Sequence, residues 1–297
     1  MKTSVIVPTY NRPRELWLCL LSLAHQSVRP DEVLIADDGS GEATRETIEL
    51  FRRSSHCPFV LKHIWQEDLG FRKPKILNET VRNTVGSYLA FIDGDCMAHR
   101  HWLRNHLRNA EPDAILGGKR VDLGPRLSER LLLIQGWGTG LGLRVLWDSV
   151  VGNTRKAEEL LIIEATLIRR WGKLDRITDD GIWGCNFSLS KDLFYAINGC
   201  DEDFLDGSIE DNDLGIRVLN SGGKVKSVRF MANVTHLWHS SSWSFTSPKY
   251  QHNKKIMERR IALKEPCCLN GIVKVEPLQP VSQKAFQTPL RSVSNDL

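Results

Sequence analysis

The sequence has no CxxC pair, no GxGxxG run and no long apolar stretch. Each absence excludes something. Its seven cysteines, Cys19, Cys57, Cys96, Cys185, Cys200, Cys267 and Cys268, are odd in number and irregularly spaced. A zinc cluster or a disulfide framework is therefore not expected. Without GxGxxG, a dinucleotide-binding fold of the dehydrogenase type is disfavoured. No apolar run approaches the roughly 18 to 20 residues that span a bilayer. The opening "MKTSVIVPTYNR" is too short in apolar residues for a signal peptide, so a cytoplasmic location is expected. Net charge is only +4 over 297 residues, too little to argue for nucleic acid as a partner. Residues 119 to 173 carry 10 Lys and Arg against 6 Asp and Glu, so the basic excess lies in this middle segment.

What is present is an alternation. "TSVIV", "EVLIADDGS", "FVLKHIW" and "SYLAFID" are β-branched or apolar runs that predict strands. Between them, Pro13 to about His25, "GEATRETIELFRR" and "KPKILNETVRNTV" predict helices, with Pro74 suited to a first turn. Strands and helices in this order imply a doubly wound, mostly parallel sheet, α/β in class. Such sheets bind ligands beyond the carboxyl ends of their strands. The polar residues follow: Thr9 and Asn11 after the first strand, Asp37 and Asp38 after the second, Asp93 and Asp95 after the fourth.

Beyond Gly118 the pattern loosens into "RLLLIQGWGTGLGLRVLW", with Trp137 and Trp147, followed by an expected helix from Ala157 to Trp171. Order returns with "DDGIWGCNFSLSKDLFYAINGCDEDF", "GSIEDNDLGIRVLNSGG" and "KVKSVRFMANVTHLWH". Four segments result: 1–118, an α/β half; 119–175, a basic, Trp-containing helical insertion; 176–265, a second ordered half; and 266–297, a flexible tail.

Side chains two apart in extended backbone point the same way, so Asp93 and Asp95 should converge, with Gly94 leaving room for a ligand. Paired hard oxygens suit Mg²⁺ or Mn²⁺ beside phosphate, although Asp-Gly is also an ordinary turn. The repulsion between two carboxylates so close calls for a positive partner, and a bound divalent cation is the expected one. Asp37 and Asp38 could meet a base or a ribose hydroxyl, or simply cap a turn. Glu210 and Asp211 open an expected helix, where acids also suit the macrodipole. Asp211 is a candidate general base. His236 and His239 are three apart, so in a strand at most one should serve the site. An imidazole among the ligands would favour Mn²⁺ over Mg²⁺.

Taken together, "SVIVPTYNR", "DDGS", the "DGD" pair, "EDLGFRKPKILNETV" and the stretch Trp183 to Gly223 resemble a family 2 glycosyltransferase of the GT-A fold. Its later part resembles a C-terminal galactosyltransferase-type region. The resemblance covers most of residues 3 to 239 in order. It implies a Rossmann-like nucleotide-sugar-binding half over 1–118, continuous with a C-terminal acceptor-binding and catalytic half over 176–265. Pro8, Thr9, Tyr10 and Arg12 would line the nucleotide pocket, and Asp38 would meet uracil or ribose. Arg72 and Asn78 would border the nucleotide-sugar, and Asp93 would lie near ribose. Asp95 would bind the metal, with His236 as third ligand and His239 as its rival. Trp183, Gly184 and Asn186 would shape the donor–acceptor site. Asp211 would be the base and Glu210 an acceptor contact.

The implied activity is inverting, metal-dependent transfer of a sugar, from UDP by expectation, to a glycan or lipid-linked acceptor in surface polysaccharide or lipopolysaccharide assembly. Mn²⁺ or Mg²⁺ would be the cofactor. A nucleotidyltransferase that makes nucleotide-sugars would carry a glycine-rich basic loop after the first strand, which "PTYNRPREL" lacks. A non-catalytic binding module would not need Asp93, Asp95 and Asp211 together. For residues 119–173 two readings stand side by side: peripheral contact with the inner face of a membrane, or a helical subdomain with a solvated basic face.

Overall fold

Along β1 (Thr3–Thr9), Val5 and Val7 join the hydrophobic cluster on one face and Ile6 joins the cluster on the other. A strand buried on both faces needs helices on both sides. The computed structural model, which describes residues 1–136, 141–175, 181–240 and 244–275, supplies them. The chain continues through α1 (Pro13–Ala24), β2 (Glu32–Asp37), α2 (Glu42–Arg53), β3 (Val60–Trp65), α3 (Lys73–Arg82), β4 (Tyr88–Phe91), β5 (Cys96–Ala98) and α4 (Trp102–Asn109). Next come β6 (Ala114–Gly117), β7 (Arg120–Asp122), α5 (Pro125–Ile134), α6 (Leu141–Val150) and α7 (Thr166–Trp171). The last elements are β8 (Phe187–Ser190), α8 (Lys191–Ala196), α9 (Glu210–Asn220), β9 (Lys224–Ser227), β10 (Val234–His236) and α10 (Pro248–Leu263).

The main sheet has the order β3-β2-β1-β4-β8-β6-β9. Its pairs are parallel except that β8 runs antiparallel to both β4 and β6. Leu16, Leu20, Ile48, Phe51 and Trp102 bring α1, α2 and α4 against one face. Ile76, Val81, Phe194, Leu214 and Val218 bring α3, α8 and α9 against the other. This is the expected α/β, mostly parallel architecture. A second sheet, β5-β10-β7, is short but decisive, because its register sets His236 beside both Cys96 and Asp122.

Two expectations need correction. The helix expected over Ala157–Trp171 is instead a single 3-10 turn, Ala157–Leu160, an extended link, and α7. Long-range bonds hold the link open: Ile163 N donates to Phe230 O (2.7 Å), and Asn233 Nδ2 donates to Leu161 O (2.9 Å). Residues 266–275, expected within a flexible tail, are packed. Asn198 Nδ2 donates to the carbonyls of Cys268 and Val273, its Oδ1 accepts from Val273 N, and Cys268 and Ile272 are buried. Trp137 and residues 276–297 lie outside the described residues.

Candidate active site

The carboxyl ends of β1, β2 and β4 open on one cleft of about 720 Å³. Its walls include Pro8, Thr9, Tyr10, Arg12, Asp38, Lys73, Asp93, Asp95 and His239. The turn after β2 shows how it is built. Asp37 is fully buried: its Oδ1 accepts from Ser40 N (2.8 Å), and Oδ2 lies 2.8 Å from Nε2 of His63. Gly39 has φ +98°, and a Cβ there would stand 2.6 Å from Asp68 Cα, so glycine is required. Asp37 is thus a turn anchor, and Asp38 is the carboxylate left facing the cleft. Asp38 in turn accepts from Arg72 N (2.8 Å) and Gln66 Nε2 (2.5 Å).

Asp93 and Asp95 do not share one partner. Asp93 Oδ1 lies 3.2 Å from Lys73 Nζ, whereas Asp95 faces two histidines. Asp95 Oδ1 is 3.6 Å from His236 Nε2, and its Oδ2 is 3.2 Å from His239 Nε2. The alternation rule, which admitted only one histidine, fails because β10 ends at His236. The chain then turns, with Leu237 N donating to Asp95 O (2.9 Å), and brings His239 back. Ligand atoms of Asp95, His236 and His239 all lie within 4.8 Å of one another, among the described residues the one such group of three.

One carboxylate and two imidazoles form a borderline donor set, suited to Mn²⁺ at least as well as Mg²⁺. Burial disfavours the charged form of Asp95, yet the His239 hydrogen bond and both imidazoles hold its carboxyl well below the usual range. Burial lowers the pKa of His236, which favours the neutral, ligating form, while its Nδ1 rests 3.7 Å from Asp122 Oδ1.

Lys73 was not foreseen. It stands at the start of α3, within reach of Asp93 Oδ1 and of Glu210 Oε1 at 3.6 Å. Burial alone would lower its pKa, but Asp93, Glu210 and Asp211 outweigh that and raise it well above the usual lysine range. The sequence did contain a signal, since crowded carboxylates call for a cation and Lys73 lies within "EDLGFRKPK". Only the packing of α3 against β1 and β2, which carries its first turn to Asp93 and Glu210, reveals that this lysine supplies it.

At the start of α9, Asp211 Oδ2 accepts from Gly184 N, and Oδ1 accepts from Asn212 N (2.9 Å). A Cβ at Gly184 would lie 3.0 Å from Asp211 Oδ2 and 3.4 Å from Lys73 Nζ, so this glycine permits the close approach. Burial pushes Glu210 up to about 8, with Lys73 opposing and Asp211 reinforcing. Burial also raises Asp211, though two backbone N–H groups favour its anion. Asp213, also in this turn, is fully buried between Arg217 Nε (2.7 Å) and Arg260 Nε (3.0 Å), and anchors the helix.

Trp183 lies beneath three cations, with Lys119 Nζ 4.3 Å, Lys156 Nζ 4.1 Å and Arg120 Cζ 5.4 Å from its ring centre. Three expected contacts are not brought to the cleft. Asn78 is fully buried and spends its amide on Cys200 N, Cys200 O and Glu202 Oε1. Asn186 is fully buried and donates to Lys119 O and Ala232 O while accepting from Trp102 and His106. Both amides tie segments together and have no atom to offer a ligand. The Arg72 side chain turns into a neighbouring recess beside Trp65 and Gln66, bonded to Glu67 O.

A mostly parallel sheet with helices on both faces, and a polar cleft where its strands end, is an α/β fold suited to a nucleotide ligand, and the solved structures it superposes on are GT-A glycosyltransferases. The model for glycosyl transferase family 2 matches residues 4–194, and the chain belongs to that family. A second model, described as the N-terminal domain of galactosyltransferase, matches residues 176–240. The chain is 29% identical over 227 residues to a validoxylamine A glucosyltransferase of Streptomyces hygroscopicus subsp. limoneus, covering 72% of this chain and 47% of that protein. It is 24% identical over 245 residues to a chondroitin synthase of Escherichia coli, covering 76% and 33%. It thus spans half or less of the length of these relatives. Among solved structures, GalNAc-T7 with UDP, GalNAc and Mn²⁺ superposes with a TM-score of 0.58 at 13% identity, covering 87% of this chain and 48% of that one. The Pyrobaculum calidifontis mannosyltransferase with GDP-Man and Mn²⁺ gives 0.57 at 16% identity, covering 89% and 69%. At such identities these structures establish the fold alone.

Proposed function

We propose that this glycosyltransferase is an inverting, metal-dependent enzyme that moves a sugar from a nucleotide diphosphate, UDP in the first instance, to a hydroxyl of a glycan or lipid-linked glycan. The observation that carries the reading is the meeting of Asp95, His236 and His239 at the cleft built by Pro8, Thr9, Tyr10 and Arg12. Those three residues would hold Mn²⁺ or Mg²⁺. When bound, the ion supplies positive charge to a departing diphosphate.

The chain's own residues account for the rest. Asp38 offers a carboxylate to the nucleoside, and Asp93 borders the same cleft, its charge offset by Lys73. Glu210, beside Lys73 and Asp211 at the start of α9, is the contact for the acceptor. Asp211, held by two N–H groups, is the base that takes the acceptor hydroxyl's proton as that oxygen attacks. A single displacement inverts the anomeric centre, and positioning supplies much of the acceleration. Trp183, its ring under Lys119, Arg120 and Lys156, would help shape the donor–acceptor site. All seven cysteines are free, which suits a cytoplasmic enzyme of polysaccharide assembly.

The test uses donor hydrolysis, which needs no known acceptor, together with UDP binding. Asp211→Asn should bind UDP normally and lose turnover by about 10²–10⁴-fold. Asp95→Ala should lose the Mn²⁺-dependent part of UDP affinity. Normal turnover in the first variant, or unchanged affinity in the second, overturns the assignment.

A further inference from the structure

α6 (Leu141–Val150) turns its apolar side outward. Leu143, Leu146, Trp147 and Val150 follow helical spacing, yet they are 75%, 52%, 71% and 79% exposed, and Val145 is the residue of this helix that enters the core. A helix on a globular protein ordinarily does the reverse. α5 lies alongside, and the two helices frame a groove of about 360 Å³ lined by Arg126, Leu127, Arg130, Leu143, Arg144 and Trp147, with Asp148 at its edge. Leu133 and Ile134 extend the exposed side of α5.

We infer that this face of α5 and α6 docks on an anionic lipid bilayer. Charge selects that occupant. Among the described residues, Arg126, Arg130 and Arg144 pair with no carboxylate. The one acid in the groove, Asp148, is engaged by Thr154 Oγ1 (2.6 Å) and Asn153 Nδ2 (3.4 Å). A second copy docking face to face would set arginines against arginines. Lipid phosphates meet them instead, while Leu143, Trp147 and Val150 enter the acyl boundary and the arginine stems snorkel. Indole, apolar on its faces and polar at its N–H, suits that boundary. None of the cleft's residues lies on this face, so lipid binding and sugar transfer can fail separately.

The experiment is sedimentation of the intact chain with phosphatidylcholine vesicles, with and without phosphatidylglycerol. Binding is expected to need the anionic lipid. At about 1 kcal/mol for each arginine near such a surface, Arg126→Ala with Arg130→Ala and Arg144→Ala should weaken partitioning on the order of a hundredfold. Leu143→Ser with Trp147→Ser and Val150→Ser should abolish it. Both triple variants should melt like the parent, since Arg144 is half-buried and the other altered side chains are exposed. Three results each overturn the inference. They are a parent that stays in the supernatant with anionic vesicles, variants that sediment as well as the parent, and a parent dimer that the apolar triple variant loses.

Discussion

Lys73→Met keeps the length of the side chain and removes its charge, which isolates the electrostatic role of this lysine in the cleft. At an effective dielectric constant of about 20, unit charges 3.2 Å apart interact by about 5 kcal/mol, the separation found between Lys73 Nζ and Asp93 Oδ1. Both side chains are about one-fifth exposed (20% and 23%), so screening leaves about 2–3 kcal/mol. Asp211, which also feels this charge, should therefore become harder to ionise. The acid limb of the kcat profile should move upward, and Lys73→Arg should restore most of it. The stability effect has a different signature. The folded pKa of Lys73 is raised, so its contribution is fully present below the ordinary lysine value of about 10.4 and lost only above it. The loss of stability in Lys73→Met should thus persist up to about pH 9, and grow as rising pH ionises Glu210, whose carboxylate the lysine favours. Rate profiles of parent and variant that superimpose would refute the reasoning, because a lysine that compensates the acids cannot leave their titration unmoved.

Glu210→Gln should remove a pH-dependent cost. The carboxyl is raised from 4.5 to about 8 by burial, so the parent should lose stability as pH climbs through that interval and the variant should not. Melting temperatures at pH 5 and pH 9 check this. Gly184→Ala inserts a methyl 3.0 Å from Asp211 Oδ2, and should cut kcat by about 10–100-fold with little change in melting temperature, since small misplacements of a reacting group are costly. Arg260→Met breaks the buried pairs to Asp201 (2.6 Å) and Asp213 (3.0 Å), and should cost about 3–5 kcal/mol in urea unfolding, far more than any exposed arginine.

What the sequence determined by itself was local or serial. Apolar runs such as "SVIV" and "VLIA", broken by Pro13 and "DDGS", are enough to place β1, α1 and β2, because burial on both faces demands continuous apolar residues. Parallel pairing then sends the polar residues after β1, β2 and β4 to one edge, and the motifs in their order mark the family. The tertiary structure decided which polar groups work and which merely hold. Asn78 and Asn186 sit inside motif-like stretches, yet both amides are consumed by backbone more than 40 residues away in sequence. Asp93 and Asp95, alike in the sequence, part company because α3 brings Lys73 to one while β10 brings two histidines to the other. Strand parity could not foresee His239, because it ceases to apply where β10 stops. Contacts of that range depend on sheet order and register, which no local pattern of residues encodes.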